Sequence, residues 1–131
     1  MLGTGTILVV DDEEIVRRTA TSALERAGYT VLQASNGQEA LAVYEQQPGS
    51  IDLVLLDMTM PVLSGEETLQ ALRKRYPHVK VILSSGYNEV EAIQRFAGKG
   101  LAGFLQKPYA ARTLLESVKA LLGGLPRTIE P

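Results

Sequence analysis

A chain of 131 residues has room for one domain, and at 45% hydrophobic and 21% charged residues it can close a single core. Its formal net charge of -2 gives no field that would gather nucleic acid or an anionic membrane. Cysteine is absent, which excludes disulfides, zinc–thiolate centres and thiol catalysis and fits a reducing cytoplasm.

The first apolar run is Ile7-Leu8-Val9-Val10, stopped by Asp11-Asp12-Glu13-Glu14. It is too short for a signal peptide or a membrane span, so the chain reads as soluble and untargeted. Apolar residues then recur with helical spacing over 14–27, at Ile15, Val16, Ala20, Ala23, Leu24 and Ala27, until Gly28 supplies a stop. A second run, Thr30-Val31-Leu32, leads to a helix that begins after Asn36-Gly37 and ends before Pro48-Gly49. The third run, Leu53-Val54-Leu55-Leu56, ends in Asp57, and a third helix spans 65–76 ahead of Pro77. The fourth run, 79–83, is followed by Ser84-Ser85. A helix over 88–97 has the weakest pattern of the set, and Gly98 and Gly100 behind it predict a comparatively mobile segment. The fifth run, 102–105, precedes Lys107-Pro108, and a fifth helix over 110–122 stops at Gly123-Gly124. Residues 1–5 read as an extension and 123–131 as a tail or linker stump.

Five alternations of strand and helix predict an α/β sandwich around a parallel sheet with helices on both faces. The Val, Ile and Leu runs suit strands buried on both sides. In such folds ligands sit at the carboxyl ends of the strands. That rule places Asp11, Asp12, Asp57, Ser84 or Ser85, and Lys107 on one rim. Three carboxylates crowded together repel one another, and a divalent cation relieves the repulsion. Mg²⁺ takes oxygen ligands, usually with only one or two protein carboxylates, and a phosphoryl group is a natural further ligand. A lysine and a hydroxyl are suited to its remaining oxygens, and an aspartate can itself be the nucleophile.

Each residue alone has a plainer reading. Asp11-Asp12 suits a helix N-terminus, Asp57 a loop, Ser84 and Ser85 a turn, and Lys107 a solvated surface. The chemical reading rests on their joint placement at four strand ends. His78, the sole histidine, is read as surface. Gly3-Thr4-Gly5-Thr6 precedes the first strand, whereas a phosphate loop must follow one. Arg73, Lys74 and Arg75 suit the carboxyl end of a helix dipole.

Over residues 6–122 these motifs resemble the response-regulator receiver domains. The resemblance is carried by Asp11-Asp12 and by Leu55-Leu56-Asp57-Met58-Thr59-Met60-Pro61 with Gly65. It continues in Val81-Ile82-Leu83-Ser84-Ser85-Gly86-Tyr87 and in Phe104-Leu105-Gln106-Lys107-Pro108-Tyr109. It implies a flavodoxin-like fold of five β-α units with strand order 2-1-3-4-5. Asp57 would be the phosphoacceptor and a ligand of Mg²⁺, with Mn²⁺ as a substitute. Asp12 would bind the metal directly, Asp11 through water, and Thr59 through its backbone carbonyl. Lys107 would hold the phosphoryl oxygens, Ser84 would be the switch hydroxyl, Phe104 the aromatic that moves with it, and the Lys107-Pro108 bond would be cis. Serine stands at the switch position where threonine is commoner, and Phe104 lacks a tyrosine hydroxyl, which leaves the strength of the switch open.

The implied function is that of a phosphorelay module and not a turnover enzyme. A histidine kinase or a histidine phosphotransfer protein would supply the phosphoryl group. The face made by the fourth helix, fifth strand and fifth helix would carry the response, with no direct nucleic-acid or membrane contact. Dimerisation, left open by the sequence, would use that face. The Ser84-Ser85-Gly86-Tyr87 stretch looks like receivers attached to hybrid sensor kinases, so the chain reads as a stand-alone receiver or a piece of a longer protein. A phosphohydrolase with an aspartyl nucleophile would place it after the first strand and add a cap domain. A flavin binder would need a phosphate loop where the acidic pair stands.

Overall fold

The computed structural model describes residues 5–47, 49–58, 64–86, 94 and 101–122. Five strands form one parallel sheet: β1 Thr6–Val10, β2 Thr30–Ala34, β3 Leu53–Asp57, β4 Val81–Ser85 and β5 Gly103–Gln106, in the order β2-β1-β3-β4-β5. The described helices are α1 Glu14–Arg26, α2 Gly37–Gln46, α3 Gly65–Arg75 and α4 Ala111–Leu122. The last of these is the helix expected over 110–122. The segment expected as a helix over 88–97 (apart from residue 94), Thr59, and the tail from 123 lie outside the described residues.

The sheet works because its side chains alternate between two separate cores. Ile7, Val9, Leu53, Leu55 and Ile82 face one core, closed by Ala20 and Leu24 of α1 and by Leu114 and Val118 of α4. Leu8, Val10, Val54, Leu56, Val81 and Leu83 face the other, closed by Ala40 and Tyr44 of α2 and by Leu69 and Leu72 of α3. A period of two along each strand thus serves two apolar layers, and the strands read as unbroken apolar runs. The central strands β3 and β4 are buried throughout, whereas β2 and β5, at the sheet edges, keep exposed positions.

Local signals set the helix ends. Gly28 takes φ 103 just after α1, a left-handed conformation that glycine adopts without strain. Asn36 Oδ1 caps α2 by accepting from the Glu39 N–H at 2.7 Å. Ser64 and Glu67 close a capping box at the start of α3, with bonds of 3.2 and 3.0 Å. Gly65 is needed for a different reason. A Cβ there would run into the Asp57 carbonyl oxygen and the Met58 backbone, so only glycine lets α3 start this close to the end of β3.

The fourth strand differs from expectation only at its start. Its apolar run was read from Val79, and the strand begins at Val81; it ends in Ser84-Ser85 as expected. Parallel pairing holds that end: Ser84 stands opposite Asp57 on β3 and Leu105 on β5, and Ser85 opposite Gln106, so ladder bonds persist through both hydroxyl residues.

Candidate functional site at the carboxyl edge of the sheet

Register brings the acidic residues together. β1 and β3 are parallel neighbours with Val10 opposite Leu56, so the next residues on each, Asp11 and Asp57, lie side by side. Asp11 and Asp57 are buried and Asp12 is exposed, and one carboxylate oxygen from each lies within 4.8 Å of the others. The ladder carries on past the strands: the Asp11 N–H donates to the Ala34 carbonyl at 3.2 Å, Met58 to Ser84 at 2.8 Å and Lys107 to Ser85 at 2.7 Å. These bonds hold the first residues beyond each strand as firmly as the strands themselves.

Lys107 reaches across this edge. Its Nζ is 2.9 Å from Asp11 Oδ2, 3.2 Å from Asp57 Oδ1 and 3.5 Å from Glu13 Oε1. Burial alone would lower the pKa of this ammonium. The hydrogen bonds and charges of Asp11 and Asp57 outweigh that loss and raise it above the ordinary lysine value, so Lys107 stays cationic. Asp11 Oδ1 also accepts from the Glu13 N–H at 2.9 Å. Asp11, Asp12 and Asp57 together bring three formal negative charges to this edge, and the Lys107 ammonium, shared with Glu13, offsets at most one of them.

That excess and the donor set fit a hard divalent cation. All three side chains offer carboxylate oxygen, which suits Mg²⁺ or Mn²⁺ and not a soft metal. Ser84 is buried on β4 directly opposite Asp57. Phe104 is half-buried on β5, opposite Leu83 and packed against the α2–α3 core, one ladder position from Ser84. The Lys107-Pro108 peptide bond is cis.

Three neighbours were not singled out from the sequence as site residues. Glu13 joins Lys107, and Arg17 on α1 donates from Nη1 to the Asp11 carbonyl at 2.8 Å. Tyr109 lies close enough to feel the site. Burial and then the Asp11 charge push its hydroxyl up, Lys107 partly offsets this, Asp57 adds to it, and the value is about 12. Helical spacing gave Arg17 only a place on the polar face of α1, and nothing in the linear pattern brings Tyr109 toward Asp11. Tyr109 also lines, with Ile15, Val16, Pro108 and Leu114, a groove of about 360 Å³ between α1 and α4 that ends at Lys107. His78 lies elsewhere. It lines a larger depression of about 740 Å³ at the amino ends of the strands, with Tyr44, Tyr76 and Arg75.

Comparison with known proteins identifies the family. The family described as response regulator receiver domain matches residues 7–119. The chain is 39% identical over 120 residues, 92% of its length, to the sensor kinase CckA of Brucella abortus. It spans 13% of that kinase and 55% or less of several other curated relatives. Sporulation initiation phosphotransferase F of Bacillus subtilis is 33% identical over 88% of this chain and 92% of its own length. Among solved structures, the response regulator TrrA of Thermotoga maritima, in complex with Mg²⁺ and BeF, superposes with a TM-score of 0.79 at 35% identity, covering 90% of this chain and 99% of that one. By sequence, strand order and extent of match, the chain belongs to the response regulator receiver domains, the regulatory, phosphoryl-accepting modules of two-component systems.

Proposed function

We propose that Asp57 accepts a phosphoryl group from a phosphohistidine on a histidine kinase or a histidine phosphotransfer protein. An Asp57 oxygen attacks phosphorus, the P–O bond forms as the P–N bond breaks, and the imidazole leaves with the electron pair. Asp11, Asp12, Asp57 and the Thr59 carbonyl would hold Mg²⁺, which neutralises phosphoryl oxygens when bound. The observation that carries the reading is the Lys107 ammonium, 3.2 Å from Asp57 and 2.9 Å from Asp11, a cation placed where a transferred phosphoryl group needs one.

Ser84, opposite Asp57 in the ladder, is the hydroxyl that turns toward the new phosphoryl group, and Phe104 on β5 follows it. The response is read on the face that β5 and α4 present, which also serves any homodimer. Phosphorylation shifts a standing equilibrium between two conformations. A protein partner is favoured by the contiguous apolar groove that ends at Lys107, where Ile15, Val16, Pro108 and Leu114 lie together. The setting is cytoplasmic in this reading; no helix among the described residues is long and apolar enough to cross a membrane.

Incubation with acetyl phosphate and Mg²⁺, read by intact mass, tests the assignment. One phosphoryl group is expected on the wild-type chain and none on Asp57→Asn. Undiminished phosphorylation of that variant refutes it.

A further inference from the structure

Arg17 presents a contradiction that resolves into a role. It is a permanent cation placed against a cluster that fits a metal cation, and by field alone it opposes metal binding. Its hydrogen bonds act the other way. Nη1 donates to the Asp11 carbonyl at 2.8 Å, and Nε donates to Gln33 Oε1 on β2 at 3.3 Å. The Arg17 backbone is itself pinned, its N–H to the Glu13 carbonyl at 2.9 Å and its carbonyl to the Thr21 hydroxyl at 2.8 Å. The Asp11 N–H is held by Ala34 of β2 at 3.2 Å. Both polar groups of the Asp11 backbone are therefore tied to β2, one directly and one through a guanidinium braced on Gln33.

The consequence falls on the next residue. The peptide between Asp11 and Asp12 is planar, so fixing the Asp11 carbonyl fixes the Asp12 nitrogen and Cα, the point from which its side chain sets out. Asp11 and Asp57 are buried, whereas Asp12 is the exposed member of the trio. Surrounding packing does less to aim Asp12, and its backbone must do more. The geometry points to Arg17 as a positioning residue for the metal-binding carboxylates, acting through the Asp11–Asp12 peptide. This rests on the reading of those aspartates as the Mg²⁺ ligands.

The two effects of Arg17 have opposite signs, which makes a clean test. Loss of its charge tightens Mg²⁺ binding if only the field matters and weakens it if positioning matters. Mg²⁺ is titrated calorimetrically into the wild type, Arg17→Gln, Gln33→Ala and Arg18→Gln, with melting temperatures taken separately in EDTA. Arg17→Gln is expected to raise the Mg²⁺ dissociation constant about 10-fold, as loss of a group that orients metal ligands does. Gln33→Ala, which keeps the charge and removes the brace, is expected to raise it about 3-fold on the same grounds. Arg18→Gln, at an exposed cation paired with Glu14 at 3.5 Å, reports the field alone and leaves affinity equal or slightly tighter. Affinity equal to or tighter than wild type in Arg17→Gln overturns the inference, as does a lowered melting temperature in EDTA with unchanged affinity. Should Arg17→Gln not fold, Gln33→Ala decides, and unchanged affinity there is fatal. A wild-type chain that binds no Mg²⁺ removes the metal reading itself, and this role with it.

Discussion

The two ends of the sheet carry charge in opposite ways. At the amino end the wider depression, about 740 Å³, is bordered by Arg75, His78 and Lys80 and by the Tyr44–Tyr76 pair, whose ring centroids are 4.5 Å apart. Its Arg75–Glu45 ion pair is short, 2.6 Å, yet the side chains are 54% and 60% exposed. At the carboxyl end Lys107 sits farther from its partners, 2.9 and 3.2 Å, but Asp11 and Asp57 are only 3% and 4% exposed. Water screens the first pair and is largely excluded from the second, so the longer contacts are the stronger ones. Neither the size of a depression nor the length of an ion pair marks the chemistry here; desolvated charge does.

The sharpest way to break this contrast is to remove the central cation. Lys107→Ala should slow phosphorylation by acetyl phosphate about 100-fold. In EDTA it should also cost about 2 kcal/mol in urea unfolding, less than for a fully buried pair because the ammonium keeps some solvent, and Mg²⁺ should restore part of the loss. Gly65→Ala comes next: a Cβ pressed on the Asp57 and Met58 backbone should destabilise by about 2 kcal/mol. Its phosphorylation should fall as well, since the strain lands on the residue that reacts.

Alkaline pH gives a third, smaller effect. Lys107 and Tyr109 are both raised in the folded chain, so each contributes stability that is complete below its unfolded value and lost as pH climbs through its folded one. Melting temperature should fall above pH 10.0, the ordinary tyrosine value, toward 12, and Tyr109→Phe should flatten part of that fall. The smallest effect belongs to the other end. Glu45→Gln should change stability by less than about 0.5 kcal/mol despite the short contact it removes. A large loss there would undo the comparison.

Much of the fold was legible because its signals are local. Unbroken Val, Ile and Leu runs, Gly28 after α1 and Pro77 after α3 each act within a few residues. The placement of Asp11, Asp57 and Lys107 on one edge followed from a general rule of parallel sheets. The strand order came from the family resemblance, since periodicity says nothing about which strands adjoin. Ser84-Ser85 at the end of the fourth strand was legible as well, whereas the start of that strand, read at Val79, lies at Val81, because apolar composition does not show where pairing begins. Arg17 was missed as part of the site because its partners, the Asp11 carbonyl and Gln33, meet only through the adjacency of β1 and β2.

The same alternation in β1 and β3 that sorts apolar side chains between two cores also delivers Asp11 beside Asp57. One deletion inside β1 would therefore commit two errors at once. It would exchange the faces of the residues before it, and it would draw the strand about 3.3 Å along its axis. Helix packing and acidic pocket share a single phase, so the spacing of the carboxylates cannot drift while the cores remain closed. Variation is channelled outside the strands, where Glu13, Arg17 and Tyr109 can be retuned without touching that phase.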